Sequence, residues 1–348
     1  MSRIYNLDYL RGLAAFGIMI YHYLSWTIGE FTANTFMQRV GIYGVSIFYV
    51  LSGLTLYHVY NHKMVPTKSD ILDFAKKRFF RIYPLLALTT LAAFFFAVNK
   101  PGWEKVVLNI TGLFGFIKWE AYISTGAWSI GNELVFYVFF PFFILFSKRI
   151  PVAMYLLSAA IFFCYLFFAF HVLSPDQDLS TPEQWRNYVN PLNQVFLFLA
   201  GFLMGRGFQT RELPRWLKSL LLVAGVFIFI AYPVHGDAIG LVTGIARLVF
   251  TAACFFICIA FYKSRIKLPN FIHKPLSLLG EASYSVYLLH PIVYKMVANF
   301  TQKYYVLADV PRLVLCVLAT LVISFLVYTY FEKFFMKLGR GKKVPAIQ

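Results

Sequence analysis

An all-α, polytopic membrane bundle of about ten helices, with both ends of the chain cytoplasmic, is the fold class this sequence predicts. Three observations predict it. First, the 348 residues are 59% hydrophobic and only 14% charged, more apolar side chain than a soluble core can hide. Second, the apolar residues gather into ten runs near 10–26, 41–60, 84–98, 128–146, 152–173, 191–208, 217–232, 238–262, 276–298 and 313–335. Third, the basic residues fall unevenly between those runs. Alternate segments on one side hold only seven of the 32 Lys and Arg residues (Arg39, Lys100, Lys105, Lys118, Arg186, Lys303 and Arg312). Arg247 and Lys295 lie within runs, and the remaining 23 collect with the N-terminus, the tail and the segments between. Cytoplasmic loops carry the excess of Lys and Arg, so both termini are placed inside. The net charge of +17 is thereby a topology signal and calls for no nucleic acid.

Taken in order, the first run is expected to stay as a helix, because Asp8 and Arg11 at its mouth and the lack of a small-residue cleavage site exclude a signal peptide. The outer stretch 99–127 carries Trp103, Phe114, Phe116 and Trp119 and predicts a short interfacial helix. The outer stretch 174–190, with Asp176, Asp178 and Glu183, reads as a solvated loop. These two stretches are the expected places for substrate specificity. Cys164, Cys254, Cys258 and Cys316 all lie in apolar runs and read as small core residues, giving neither a disulfide framework nor a metal site. With no repeat and no composition shift, residues 1–348 are expected to form one membrane domain with no appended soluble domain.

Polar residues within such runs are costly and point to function or to a partner. Arg11 and His22 are eleven residues apart, so on a helix they differ by only about 20° in direction and by roughly 16 Å in height. A cation at one membrane face and an imidazole at depth thus share one stripe. Arg78 and Arg81, three apart, sit side by side on a helix and can grip one anion; a lipid-facing basic anchor is the plainer reading of the same run. Glu133 lies about 7–8 Å below the start of the fourth run, in the half of the membrane that also holds His22, which allows a carboxylate to orient the imidazole. His290 precedes Pro291, where a lost backbone bond predicts a kink. Arg247, mid-run, must face the bundle interior, either pairing with a carboxylate or binding substrate.

The motifs carry a resemblance. Leu7-Asp8-Tyr9-Leu10-Arg11-Gly12-Leu13-Ala14-Ala15 with His22 resembles the opening of the acyltransferase-3 family, whose signature is Arg, ten residues, His. Further blocks follow in the family's order: Gly44–Gly53, then Arg78-Phe79-Phe80-Arg81-Ile82-Tyr83-Pro84, then Trp128-Ser129 with Glu133 and Phe136-Tyr137. Ser283–Pro291 and Tyr330-Phe331-Glu332-Lys333 complete the set. Leu54, Ile130 and Phe334 stand where Phe, Leu and Pro are usual, and none of these belongs to the polar set.

The resemblance implies an integral enzyme of the bacterial inner membrane that moves an acyl group, usually acetyl, from coenzyme A to a hydroxyl of a surface or lipid-linked glycan such as lipopolysaccharide. It implies acetyl-CoA as donor, a glycan acceptor, membrane lipids around the bundle and no metal. On that reading Arg11, Arg78 and Arg81 clamp the donor's phosphates and Asp8 fixes Arg11. The pantetheine arm, on the order of 15–20 Å long, spans a distance like that from Arg11 to His22. His22 is then the general base, and Glu133 orients it or binds the sugar. Ser129, Asn132, Tyr284, His290 and Arg247 are candidates for holding the acceptor. Transfer of succinyl or another acyl group is the alternative within the family. A flippase for lipid-linked sugars is the alternative outside it, and would favour matched broken helices in two halves.

Overall fold

The computed structural model describes residues 3–176, 179–305 and 307–340, and these are helical throughout, with no strand among them. Helix α1 runs Tyr5–Ile28, α2 Phe36–Tyr60 and α3 Lys68–Phe96. The outer stretch after α3 folds into α4 (Trp103–Ile110) and α5 (Phe114–Ile117), the short helical segment its aromatic pattern predicts. Then come α6 (Ala127–Arg149), α7 (Pro151–Val172, its last turn π-helical), α8 (Thr181–Tyr188) and α9 (Pro191–Phe208). The chain continues through α10 (Arg215–Ala231), α11 (Ala238–Leu241) and α12 (Gly244–Lys263). It closes with α13 (Asn270–Glu281), α14 (Ser283–Tyr304) and α15 (Asp309–Arg340), the last interrupted by a π-helical stretch, Val327–Glu332.

Local chemistry sets many of these ends. Thr35 and Thr67 cap α2 and α3 by accepting from the backbone N–H groups of Gln38 and Asp70. Asn190 caps α9, and Pro191 fills its first position, where no backbone donor is needed. Among the described residues six helices are long and apolar enough to cross a membrane: α2, α3, α6, α7, α12 and α15. Helix α10 is only 17 residues long. Helices α1, α9 and α14 are long enough, but their apolar runs are broken by Arg11 and His22, by Asn193, Gln194 and Arg206, and by His290 and Lys295. Several of the residues that weaken those runs are buried polar groups with named partners, described below.

Helix α2 is the axis of the bundle: 78% of its apolar window is buried, against 17% for α15 at the periphery. It packs on α9 backbone to backbone. A Cβ on Gly53 would stand 1.9 Å from the carbonyl oxygen of Phe198, and one on Gly201 would stand 2.0 Å from that of Val50. Small residues let helices in lipid approach this closely, and dispersion then holds them. Gly53→Ala is therefore expected to lower stability by roughly 1–3 kcal/mol, as overpacking does. Gly207→Ala, in the same α9 but with nothing within 4 Å of the added carbon, should leave a detergent-phase melt unchanged.

Three expectations are corrected. Helix α3 begins at Lys68, sixteen residues before the apolar run does, because the basic segment that leads into it is itself helical. The ninth run breaks at Ala282, between α13 and α14, while Pro291 lies inside a continuous α14. Part of the expected solvated loop is helix α8, which buries Gln184 and Tyr188 and packs Trp185 and Tyr188 edge to face against Trp128 of α6. Asp178 of that stretch lies outside the described residues. A capping box starts α8: Glu183 accepts from the backbone N–H and the hydroxyl of Ser180, which holds its carboxyl below the usual range. A depressed carboxyl contributes stability above its ordinary titration range and loses it on acidification. Protection of the amides at residues 180–184, taken relative to their intrinsic exchange at each pH, should therefore fall as the medium is acidified below the ordinary carboxyl range, and Glu183→Gln should weaken the dependence.

Candidate functional site

A cavity of about 260 Å³ opens among α1, α2, α3, α6 and α14. Its lining includes three guanidinium groups, Arg11, Arg78 and Arg81. Arg11 is held on two sides: it donates to the Thr55 hydroxyl (3.1 Å) and pairs with Asp8 (3.5 Å), as the Asp8 expectation required. Asp8 also takes Arg3 at 2.6 Å, and Arg3 bridges on to Glu281 at 2.6 Å. Arg78 has its guanidinium over the rings of Tyr60, Phe74 and Tyr137, and its buried Nε finds no hydrogen-bond partner among the described residues. Unsatisfied guanidinium donors in a partly dry cavity are a ready site for an anion with several oxygens.

Beside them the lining offers hydroxyls and one carboxylate, with Tyr137 touching both Arg78 and Glu133. Glu133 accepts from the Tyr137 hydroxyl at 3.0 Å, and Tyr137 is also bonded to Ser52 at 3.0 Å. Ser283, Tyr284, Ser129 and Tyr287 add further hydroxyls. The Tyr284 hydroxyl donates to the Ile82 carbonyl (2.9 Å), which ties α14 to α3. Ser129 meets the Tyr287 hydroxyl at 2.8 Å, and both reach the carbonyl of Gly126. Gly126 sits at φ +83°, a conformation L side chains rarely adopt, and a Cβ there would press on the Tyr287 hydroxyl at 2.9 Å.

The cavity stops at Phe48 and Tyr287, which pack edge to face with ring centres 5.7 Å apart. Behind Tyr287, at 6.1 Å, lies the ring of His290. His22 is on this far side. Its Nδ1 is 2.9 Å from His290 Nε2, and its ring stacks on Trp26 at 5.0 Å, itself partly exposed. The expected stripe from Arg11 to His22 is present on α1, but the track beside it is closed here by Phe48 and Tyr287.

Other expected placements are revised. Glu133 does not pair with His22; the imidazole's partner is His290, and the carboxylate belongs to the cavity with Tyr137. Asn132 is fully buried and spends both Nδ2 donors on the Tyr49 hydroxyl and the Val189 carbonyl, tying α6 to α2 and to the end of α8; it does not line the cavity. Arg247 binds Asn193 through its carbonyl and side-chain oxygens (3.1 and 2.6 Å) and lies 4.0 Å over the Tyr165 ring. It pairs with no carboxylate among the described residues and stands apart from the cavity. Ser129 and Tyr284, expected beside the acceptor and His22, line the same cavity as Arg11, Arg78 and Arg81, which His22 does not line. Sequence reasoning missed Ser52, Thr55, Tyr137 and Tyr287 as site residues. Ser52, Tyr137 and Tyr287 lie in the quoted motif blocks, where a hydroxyl within an apolar run was the available signal.

Comparison with known proteins places the chain in a family. The chain is similar to O-acetyltransferase OatA of Staphylococcus aureus, 25% identical over an alignment covering 96% of this chain and 57% of that protein. It is similar to acyltransferase MdmB of Streptomyces mycarofaciens, 27% identical over 43% of this chain and 41% of that one. Protein 2 in the picA locus of Rhizobium radiobacter is 29% identical over 38% of this chain and 78% of its own length. The chain thus spans little more than half the length of the OatA relatives it matches. No solved structure matches it significantly. The sequence model of the acyltransferase-3 family, described as "Acyltransferase domain", matches residues 4–329, so the chain belongs to that family.

Proposed function

We propose that this chain is a multi-pass O-acyltransferase that takes an acyl group, acetyl in the simplest reading, from cytosolic acyl-CoA and passes it to a hydroxyl of a surface or lipid-linked glycan. The family, and the name of the OatA relatives, support the reaction class. The excess of basic residues in alternate segments supports ten spans with both termini inside, in a bacterial inner membrane. We take residues 1–348 as one membrane domain.

One observation carries the reading: a cavity that gathers three guanidinium groups, one with an unsatisfied donor, beside hydroxyls and a carboxylate, one side chain away from a histidine pair. Arg78 and Arg81 grip the donor's phosphates, with Arg11 held ready by Asp8 and Thr55. The thioester reaches Tyr287, and Phe48 and Tyr287 must swing aside for the acyl group to meet the acceptor. His22 takes the acceptor hydroxyl's proton as the oxygen attacks the thioester carbon. The C–S bond then breaks, and His22 returns the proton to the departing thiolate. Glu133, joined to Tyr137, acts on the cavity side of the wall.

The test is transfer of labelled acetyl from acetyl-CoA to isolated surface glycans by the purified full chain. Labelled glycan is the expected product; donor binding without transfer to any glycan or lipid-linked sugar would overturn the reading. The closed wall adds an expectation: Phe48→Ala should raise acetyl-CoA hydrolysis several-fold in the absence of acceptor, because water then reaches the thioester.

A further inference from the structure

Which nitrogen of His22 does the chemistry is decided by its neighbours. His290 is completely buried, and its Nδ1 lies 3.2 Å from the carbonyl oxygen of Val286, one turn earlier in α14. A carbonyl oxygen only accepts, so His290 Nδ1 must carry the proton. In a neutral imidazole the other nitrogen, Nε2, is then bare and accepts. Its partner at 2.9 Å is His22 Nδ1, which must therefore donate. The proton of neutral His22 thus sits on Nδ1, and Nε2 keeps its lone pair. Each step follows from the one before, and the first is fixed by backbone.

The backbone around His290 is itself held. Tyr23, the residue after His22, donates its hydroxyl to the carbonyl of His290 (2.9 Å) and meets Thr320 of α15 at 2.5 Å. Two consecutive residues of α1 therefore engage one residue of α14, one through its side chain and one through its carbonyl. Pro291, next in the chain, has no N–H, so the Tyr287 carbonyl lacks its usual helical donor and leaves the turn beneath the imidazole rich in acceptors. No carboxylate among the described residues bonds to either ring, so the orienting task usually given to Asp or Glu falls here to a neutral histidine.

We infer that His290 is the positioning residue of the proposed transfer: it fixes His22 as the Nδ1–H tautomer and so makes Nε2 the atom that takes the acceptor's proton. This rests on the reading of His22 as base and replaces the expectation that His290 holds the acceptor. In the step, the acceptor O–H proton moves to His22 Nε2 and the acceptor oxygen bonds the acyl carbon. The C–S bond breaks, and the same proton goes from Nε2 to the thiolate. Nδ1 keeps its proton throughout, and His290 neither gains nor loses one.

The experiment uses the full chain in nanodiscs with 15N-labelled histidine. Two-bond 15N–1H correlations, assigned with His22→Gln and His290→Gln proteins, are expected to show His22 protonated at Nδ1 and bare at Nε2. His22 protonated at Nε2 would overturn the inference. A kinetic arm uses acetyl-CoA with a soluble chito-oligosaccharide. His290→Leu should lose about 10²-fold or more in kcat with the donor KM unchanged, because the base is no longer aligned. His290→Gln should recover part of that loss, since its side-chain oxygen accepts near the place of the lost Nε2. A leucine variant that turns over like the native protein, or a glutamine variant no better than leucine, would contradict the positioning role. Should the tautomer be found while the native chain transfers to no glycan or lipid-linked sugar, the proposed function fails and the tautomer assignment stands.

Discussion

His22→Ala is expected to lower acyl transfer by about 10²–10⁴-fold, the usual contribution of a positioned general base, while leaving donor affinity as it was. The separation follows from the wall. The cavity that would hold the donor ends at Phe48 and Tyr287, and His22 lies beyond, against His290 and Trp26. Truncating the imidazole removes a proton acceptor without touching the guanidinium groups. Titrating acetyl-CoA by its effect on intrinsic tryptophan fluorescence, beside turnover with a glycan acceptor, checks both halves. A rise in donor Kd that matches the loss in kcat/KM would mean that His22 belongs to the donor site.

The complementary result is expected at the arginines. Arg78→Ala should weaken acetyl-CoA binding about 10- to 100-fold, because a hydrogen bond to a charged group contributes roughly 1.5–3 kcal/mol. Arg81→Ala should act in the same direction. Both sit three residues apart on α3 and face one cavity, so their effects should not add, and the double variant should fall short of the product. Lysine should rescue Arg78 poorly, since a point charge does not reproduce a planar fork stacked among Tyr60, Phe74 and Tyr137. Desulfo- or dephospho-analogues of the donor separate the contacts: an arginine that reads a phosphate loses its effect once that phosphate is gone.

The all-helical class and the polar stripe of α1 were legible in the sequence because they follow from composition and from periodicity within one element. Arg11 and His22 face together for the arithmetic reason given, and Asp8 reaches Arg11 because it lies one turn below. What the sequence concealed were distances between elements. Glu133 and His22 were expected at one depth, yet depth alone does not make neighbours, and the helix that does meet His22 is α14. His290 drew notice through Pro291, but its role depends on the carbonyl of Val286 beneath it and on α1 beside it. Asn132 and Arg247 looked like substrate ligands because buried polar groups attract that reading. Both turn out to satisfy backbone and side-chain groups where α6, α8, α9 and α12 converge. The break at Ala282 was hidden because only Gly280 stands near it, a residue helices in lipid also use for close packing, whereas Pro291 is absorbed within α14.

The account rests on a donor bound from one side of the membrane and an acceptor modified from the other, across the Phe48–Tyr287 partition. Proteoliposomes test it most directly, with the full chain oriented by protease accessibility of its tail, labelled acetyl-CoA on the tail side and a membrane-impermeant glycan on the opposite side. Label appearing on the glycan across a sealed bilayer, and lost with His22→Ala, is the predicted result. Transfer that occurs only when donor and glycan share a compartment would contradict it.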